Sequence, residues 1–366
     1  MSSQSLDRPH HGGNLIWAAQ LSGTSPSSIL DFSASINPLG PPASVLSAIQ
    51  HQINQIRVYP DPDTHELRTV LSAFHRVPAD FILPGNGSAE LLTWACRELA
   101  ECDATYLITP AFGDYRRALL AFDATIAPCP IAIPSPPPAN TAPFITALKT
   151  LLDAPPQAGV LLNNPHNPTG YLASLDVLRP ILEHFALVVV DEAFMDFLPG
   201  EPESVIPWIE HYPNLVVLRS LTKFYSVPGL RIGYAIAHPD RLKRWQRWRD
   251  PWSVNALATV AAIAAVQDHD FQQCTWDWLS EARSQLFQGI QAIPGLHPLP
   301  GAVNYLLVHS SVSVPDLQYA LLQQHQILIR DCLSFPELGD RFFRIAVRTV
   351  AENQRLLSAL TERLPT

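Results

Sequence analysis

The chain has 366 residues, of which 47% are hydrophobic and 16% charged, and its formal net charge is −9 at pH 7. This composition excludes a disordered chain, and the acidic balance argues against a nucleic-acid binder, which needs a basic face. The first residues contain no apolar core, and the longest apolar stretch, residues 254–266, is too short to span a bilayer. The five cysteines show no CxxC spacing, which favours reduced thiols. We therefore expect a globular, cytoplasmic protein without a signal peptide or membrane span.

Short apolar runs alternate with helical stretches through the first 250 residues. Continuous apolar runs of this length suit strands that are buried on both faces of a parallel sheet. Prolines concentrated at residues 127–143 exclude a helix or a central strand and predict a surface loop, with an interdomain linker as the alternative. The predicted strands are residues 105–109, 159–162, 187–190, 215–218 and 231–237, and the predicted helices are residues 88–99, 112–122, 175–185 and 203–211.

The pattern changes after about residue 251, where long helical stretches precede short apolar runs. This order is typical of an α+β domain. We expect a large α/β domain at residues 45–250 and a smaller α+β domain formed by residues 1–44 and 251–366. The predicted helices of the second part are residues 256–266 and 271–293, and its predicted strands are residues 305–308, 327–329 and 343–347.

Two strings of residues could bind a phosphate. Gly-Asn-Gly-Ser at 85–88 precedes a predicted helix, whose N-terminus favours an anion; a plain turn with a helix N-cap is the alternative. Ser-Leu-Thr-Lys at 220–223 follows an apolar run, and Arg231 comes eight residues later. A buried lysine loses its proton readily and becomes nucleophilic, while the two hydroxyls and Arg231 can surround a phosphate.

Polar side chains also follow two of the predicted strands. The loop Asn-Asn-Pro-His-Asn-Pro-Thr-Gly at 163–170 can hold the Asn167 amide rigidly, although a strand-ending turn would explain its prolines and glycine. Asp191 comes directly after the run LVVV, where an acid is costly unless it is paired. A protonated pyridine nitrogen would supply that pair. A metal-binding acid is the alternative, but no nearby His or Asp set completes a metal site.

Taken in this order, the four strings resemble the aspartate aminotransferase superfamily of pyridoxal 5′-phosphate (PLP) enzymes, fold type I, over nearly the whole chain. The resemblance implies an α/β fold in which a mostly parallel sheet is sandwiched by helices, beside a smaller α+β domain. It implies that Lys223 binds PLP as a Schiff base, that Asp191 pairs with the pyridine nitrogen and that Asn167 contacts the ring hydroxyl. The residues that it assigns to the cofactor phosphate are Gly87, Ser88, Ser220, Thr222 and Arg231.

Three aromatic positions complete this comparison. Phe112 matches the aromatic residue that stacks on the cofactor ring, with core packing as the alternative. Tyr59 matches the tyrosine that reaches the cofactor phosphate of a neighbouring subunit, which implies a homodimer. Phe194 is a departure, because many relatives have a tyrosine there whose hydroxyl bonds the ring oxygen.

Segments at 11–14 (HGGN), 31–42, 329–332 and 343–349 are similar to the threonine-phosphate decarboxylases of cobalamin biosynthesis. This similarity implies PLP-dependent decarboxylation of L-threonine O-3-phosphate to (R)-1-amino-2-propanol O-2-phosphate and CO₂. Histidinol-phosphate aminotransferase, or another class I/II aminotransferase, is the alternative.

The expected substrate is therefore a small phosphorylated amino acid. Arg344 matches the family's carboxylate-binding arginine, and Arg330 is the candidate for the substrate phosphate; a surface salt bridge is the alternative for each. His11, in an N-terminal segment expected to form a lid, and Asn37 would assist Arg330. The adjacent histidines His10 and His11 lack further ligands, so we expect no metal.

Overall fold

The structure is a computed structural model that describes residues 8–137 and 140–364. No helix within these two ranges is both long and apolar enough to cross a bilayer. The helices are α1 (Leu15–Ser22), α2 (Ala43–Gln52), α3 (His65–His75), α4 (Ser88–Leu99), α5 (Gly113–Leu120), α6 (Ala142–Thr150), α7 (Leu175–His184), α8 (Leu221–Phe224), α9 (Pro239–Gln246), α10 (Ala256–Val266), α11 (His269–Gln291), α12 (Val314–His325) and α13 (Val350–Arg363). The strands are β1 (Leu30–Asp31), β2 (Ile82–Gly85), β3 (Thr105–Thr109), β4 (Ile126–Pro130), β5 (Gly159–Asn163), β6 (Leu187–Asp191), β7 (Leu215–Ser220), β8 (Gly233–Ala237), β9 (Leu296–Pro298), β10 (Tyr305–Ser310), β11 (Ile327–Leu328), β12 (Arg330–Asp331) and β13 (Phe342–Ala346).

Seven strands form the large sheet, in the order β2-β8-β7-β6-β5-β3-β4. The strands β3 to β7 run parallel to their neighbours in that set, and β8 is antiparallel to both β7 and β2. Side chains on the two faces join two different apolar clusters, Val188 and Val190 in one and Val189 in the other. Burial on both faces is the reason why these strands are continuous apolar runs. The expected α/β architecture with a mostly parallel sheet is confirmed.

A second sheet, in the order β12-β13-β10-β9, lies in the C-terminal part of the chain. The N-terminal part returns to this region of the chain, because β1 and β11 pair in parallel as a separate two-stranded sheet and α1 contacts α12. The Arg348 guanidinium also donates to the backbone carbonyl of Asp31 at 3.0 Å. These contacts attach the first segment of the chain to its last one. The domain boundaries given above stay a prediction.

Two local predictions were wrong. Residues 203–211 do not form a helix; only a 3₁₀ turn at Ile206–Trp208 is present, because Pro207 has no N–H to donate and its ring clashes with the preceding turn. Residues 127–143 are not a loop throughout. Their beginning belongs to β4, an edge strand on which proline is tolerated, and their end starts α6, where Pro143 lies in the first turn.

The parallel strands bring three polar residues to one edge of the large sheet. Asn163 ends β5, Asp191 ends β6 and Ser220 ends β7. In the register of the sheet Asn163 pairs with Asp191, which in turn pairs with Leu218. Ligands of open α/β sheets bind at the carboxyl ends of the strands, so this edge is the expected place for a site.

Strand β8 lies close to the polar residues at the carboxyl edge of the large sheet, and its Gly233 pairs with Ser220. Substitution of Gly233 tests how tightly the backbone is packed there. A Cβ atom there would lie 2.6 Å from both the Ser88 nitrogen and the Arg219 carbonyl oxygen, which are backbone atoms and cannot move alone. We expect Gly233→Ala to lower the free energy of unfolding by about 1–3 kcal/mol, measured by chemical denaturation. Gly229→Ala is the control, because a Cβ there meets nothing within 4 Å. Equal denaturation midpoints for the two variants would contradict the expected crowding.

Candidate active site

A cavity of about 650 Å³ opens at the carboxyl edge of the large sheet. This volume is in the usual range for a small-molecule site. Its walls come from the large sheet, from the second sheet and from the N-terminal segment, so residues distant in sequence meet there. Nine of the residues predicted from the sequence line it: His11, Ser88, Phe112, Asn167, Asp191, Lys223, Arg231, Arg330 and Arg344.

Lys223 lies in the short helix α8, directly after β7, and its side chain reaches into the cavity. Its Nζ donates to Thr222 Oγ1 at 2.9 Å and to Ser220 Oγ at 3.4 Å. Burial lowers the pKa of Lys223 to about 8, and the positive charge of Arg231 acts in the same direction, while Asp191 opposes both. Near neutral pH a useful fraction of this amine is therefore unprotonated and nucleophilic.

Asp191 is held in place from two sides. Its Oδ2 accepts a hydrogen bond from the Tyr115 hydroxyl at 2.7 Å, and its Oδ1 accepts one from the Ala193 N–H at 2.9 Å. Burial raises the pKa of Asp191 above its usual value, whereas these hydrogen bonds and Lys223 oppose that rise. A carboxylate in this position is best stabilised by a cationic partner in the cavity, which fits a protonated ring nitrogen.

The turn before α4 fits a phosphate group. Gly87 has a φ of +78°, and a Cβ atom there would lie 2.6 Å from Nη2 of Arg231, so only glycine leaves room beside this guanidinium. Ser88 begins α4, whose first backbone N–H groups favour an anion. The hydroxyls of Ser220 and Thr222 are 2.7 Å apart. The five residues predicted for the cofactor phosphate thus lie on adjoining elements, and their role stays a prediction.

Two arginines face the cavity from neighbouring strands of the second sheet. Arg330 on β12 and Arg344 on β13 are direct cross-strand partners. Arg344 Nη1 donates to Asn167 Oδ1 at 2.5 Å, and its guanidinium lies over the Tyr305 ring, 5.0 Å from the centroid. Neither arginine has a carboxylate within 4 Å among residues 8–137 and 140–364. Two adjacent cations without acidic partners make this wall a binding surface for anions.

The N-terminal segment covers part of the cavity and is fastened by Arg330. The Arg330 guanidinium donates to the Pro9 carbonyl at 3.1 Å and to Ser334 Oγ at 2.6 Å, and it also contacts the carbonyl of His10. His11 lies with its ring centroid 5.4 Å from that of Phe112. The segment therefore brings an imidazole to the same cavity as the two arginines.

Asn37, which was expected to assist Arg330, does not line the cavity. Its amide donates to the Phe224 carbonyl at 2.8 Å and to Thr275 Oγ1 at 2.9 Å, and its oxygen accepts the N–H of Leu39. These bonds use both N–H donors of the amide, and the side chain is buried outside the cavity. Asn37 holds α8 to its neighbours instead of contacting a ligand. Tyr59 also lies outside the cavity of its own chain, and its role stays a prediction.

Sequence reasoning missed two acidic or phenolic groups of the cavity. Tyr115 follows Phe112 by three residues, a spacing that places both on one side of α5. That spacing was a usable signal. Asp31 lines the cavity from β1 and accepts hydrogen bonds from the backbone and hydroxyl of Ser33; burial raises its pKa. The similarity noted for the segment 31–42 includes Asp31, but it assigned no role to this carboxylate.

The lowered pKa of Lys223 gives a pH-dependent reactivity. An amine with a pKa of about 8 becomes unprotonated between pH 7 and 9, whereas an ordinary lysine does so near pH 10.4. We expect reductive alkylation of Lys223 by a small aldehyde, followed by peptide mass spectrometry, to rise through that lower range. Asp191→Asn should lower the midpoint further, since Asp191 raises the pKa of Lys223. A midpoint near pH 10 in the parent protein would contradict the burial of this amine.

Comparisons with known proteins agree with this geometry. The family model "Aminotransferase class I and II" matches residues 27–360. The chain is 41% identical over 359 residues to the threonine-phosphate decarboxylase of Salmonella typhimurium, covering 96% of this chain and 95% of that protein. It is 32% identical over 334 residues to the histidinol-phosphate aminotransferase of Symbiobacterium thermophilum, covering 88% and 87%.

The fold is also found among solved structures. The histidinol-phosphate aminotransferase of Sinorhizobium meliloti, solved in complex with pyridoxal-5′-phosphate, superposes with a TM-score of 0.82 at 24% identity, covering 99% of this chain and 96% of that one. This likeness concerns the fold, and it confirms the fold type expected from the sequence. From its matched length, its relatives and its architecture, the chain belongs to the aminotransferase class I and II family.

Proposed function

We propose that this protein uses PLP to decarboxylate L-threonine O-3-phosphate to (R)-1-amino-2-propanol O-2-phosphate and CO₂. The observation that carries the proposal is the pair Arg330 and Arg344 on neighbouring strands, in the same cavity as the Lys223 amine. A substrate with one amine and two anionic groups would find an arginine for each anionic group and would place its amine near Lys223. The 41% identity to a threonine-phosphate decarboxylase supports the same substrate.

The residues of the cavity fit PLP. Lys223 would hold its carbonyl carbon, Asp191 its ring nitrogen and Asn167 its ring hydroxyl, while Phe112 would pack on the ring face. When bound, PLP supplies an electron sink that stabilises negative charge at the substrate's α-carbon. The protein groups that would hold its phosphate are Gly87, Ser88, Ser220, Thr222 and Arg231.

Arg344 would decide which bond of the substrate breaks. A guanidinium that holds the substrate carboxylate would fix the direction of the bond between this carboxylate and the α-carbon. The hydrogen bond from Arg344 to Asn167 ties this anchor to a residue assigned to the ring. Lys223, whose side chain lines the same cavity, would be the group that returns a proton to the substrate's α-carbon after CO₂ has left.

Arg330 would hold the substrate phosphate, with His11 beside it. Arg330 has five N–H groups, and three of them contact the Pro9 carbonyl, the His10 carbonyl and the Ser334 hydroxyl. The remaining two donate to none of residues 8–137 and 140–364, and one of them would bind an anion in the cavity. Closure of the N-terminal segment and phosphate binding would thus use the same guanidinium.

Transamination of histidinol phosphate is the alternative, since a relative with that name is 32% identical. Histidinol phosphate itself carries no carboxylate, but the acceptor 2-oxoglutarate carries two, so Arg344 would have an anionic partner in that reaction as well. The higher identity to a threonine-phosphate decarboxylase, 41% against 32%, is what favours decarboxylation.

Variants of the two arginines test the assignment. Arg344→Ala should lower kcat/KM for CO₂ release by roughly 30- to 1000-fold, the loss of about 2–4 kcal/mol of transition-state stabilisation from one charge-assisted anchor. Arg330→Ala should instead lose the preference for threonine phosphate over threonine. Arg179→Ala, an exposed arginine on α7, is the control. Lys223→Ala should abolish the borohydride-trapped link to PLP.

The decisive comparison is between two reactions of the parent protein. We expect CO₂ release from threonine phosphate to be much faster than amino transfer from histidinol phosphate to 2-oxoglutarate. If kcat/KM for amino transfer is ten times that for CO₂ release, the proposed decarboxylase activity is refuted. The assignment of the fold would not be affected.

We also propose that the protein acts as a homodimer. Tyr59 is 78% exposed and stacks on Trp252, with ring centroids 4.6 Å apart. Ile53, Ile56 and Val58 beside it in the chain are exposed as well, which makes a large apolar face for a monomer. Covering this face with a second copy would bring the Tyr59 hydroxyl to the partner's cofactor phosphate.

The free thiols of all five cysteines support a cytoplasmic location.

Ultracentrifugation and PLP binding can separate the two parts of this proposal. Ile56→Asp should shift the dimer to monomer, because it places a charge in the apolar face. Tyr59→Phe should leave the dimer intact and weaken PLP binding by roughly tenfold, the effect of one hydrogen bond to a charged group. Tyr319→Phe, another exposed tyrosine, is the control. A fully active monomer at micromolar concentration would refute the homodimer.

A further inference from the structure

The strand ends that carry Asp191 and Ser220 also have a buried reverse face. Successive side chains of a strand point to opposite faces, so the neighbours Glu192 and Arg219 point away from the cavity. Both are completely buried. The large sheet therefore has the candidate reactive groups on one side and an ion pair directly behind them on the other.

One guanidinium on this reverse face contacts three carboxylates. Arg219 Nε donates to Glu192 Oε2 at 3.0 Å, and its Nη1 donates to Glu201 Oε1 at 2.9 Å. Its Nη2 contacts the second oxygen of Glu201, and Asp196 Oδ2 lies 3.5 Å from Nη1. We call these four residues the Arg219 cluster.

Glu192 links the Arg219 cluster to three parts of the chain. Its side chain accepts hydrogen bonds from Ser204 Oγ and from the Val205 N–H, both at 2.8 Å. Its backbone N–H donates to the Leu218 carbonyl on β7 at 2.8 Å. The cluster thus joins the end of β6, the end of β7 and the segment 196–205, and it fixes their separation.

The charges of the Arg219 cluster do not balance. One guanidinium against three carboxylates leaves two negative charges if all four groups ionise, and their side chains are at most 19% exposed. Uncompensated charge is costly in such a place, so the cluster must hold at least one proton. Asp196 Oδ2 accepts no hydrogen bond from the described residues, which makes Asp196 the least compensated acid. Burial raises the pKa of Asp196 to about 7, and the negative charge of Glu201 adds to this rise, while Arg219 opposes it.

The other titratable groups around the cluster add no positive charge. His75 on α3 bonds the Tyr234 hydroxyl at 2.7 Å, and burial lowers the pKa of His75 to about 3, so it is neutral. Burial raises the pKa of Tyr234 and of Tyr225, which therefore stay protonated. Within the described ranges, Arg219 is left as the cation that compensates the three acids.

We propose that Arg219 and Glu192 are positioning residues, which hold the ends of β6 and β7 so that Asp191 and Lys223 meet PLP at the correct separation, and that Asp196 keeps the cluster buried by carrying its proton. The proposal rests on the proposed function only for the identity of the cofactor. A planar guanidinium fixes its acceptors in two directions at once, which a lysine cannot do.

Glu192→Gln tests the positioning role, because it keeps the size of the side chain and removes its charge. We expect the apoprotein to bind PLP at least tenfold more weakly, measured by quenching of tryptophan fluorescence, and kcat to fall at saturating PLP with KM for substrate nearly unchanged. Glu98→Gln is the matched control, since Glu98 is a buried acid paired with Arg241 outside the cavity. If PLP affinity and kcat are unchanged in both variants, Glu192 is only structural and the proposal is wrong.

Asp196→Asn tests the proton and does not depend on catalysis. Asp196 stays protonated in the folded chain up to about pH 7 but ionises near pH 3.9 in the unfolded chain, so its ionisation opposes folding increasingly across that interval. An asparagine has no such proton to lose. We expect the Tm of the variant minus that of the parent to rise between pH 4 and pH 7 and to stay level above it.

A Tm difference that is constant from pH 4 to pH 8 would overturn the assignment of the proton to Asp196. A protein that binds PLP with the expected ranking of variants but releases no CO₂ from threonine phosphate would refute the proposed function and support the positioning role. The two failures are therefore distinguishable.

Discussion

The site depends on keeping a lysine amine away from bulk water beside a single carboxylate. Burial lowers the pKa of Lys223 and Asp191 raises it; the balance places this pKa at about 8. This balance requires fixed distances, which come from the parallel pairing of β6 and β7. The helices on both faces exclude water from these strands, and the Arg219 cluster fixes their ends from behind. The fold thereby sets the pKa of the Lys223 amine.

Much of the large sheet could be predicted from the sequence, because its strands are buried on both faces and read as unbroken apolar runs. The strand at 105–109 and the helix at 88–99 have the bounds that were expected. The failures lie where one proline outweighs a local pattern. Pro207 ends a helical pattern, and Pro128 is accepted because β4 has a free edge, which is a property of the sheet order and not of the local sequence.

The site divides in the same way. Lys223, Asp191 and Asn167 were predicted because each follows a recognisable strand or loop string, and the structure brings them to one cavity. The register that places Arg330 opposite Arg344 could not be predicted, since it depends on the pairing of two short strands. The placement of Asn37 outside the cavity could not be predicted for a related reason. An asparagine that contacts a ligand and one that ties backbone segments together cannot be told apart from the sequence around them. Only the hydrogen-bond partners of Asn37, Phe224 and Thr275, show which of the two it is.

The fastening of the N-terminal segment by Arg330 has a kinetic consequence. Its guanidinium contacts the carbonyls of Pro9 and His10 while facing the cavity, so a bound anion and the segment are held by one side chain. An anion held by Arg330 and the N-terminal segment would therefore share one anchor, and release of the anion would be coupled to movement of the segment. Residence time, rather than the rate of entry, is then the quantity that the segment around Pro9 and His10 would control. A protease that cuts near His10 would likewise act more slowly on the occupied protein than on the empty one.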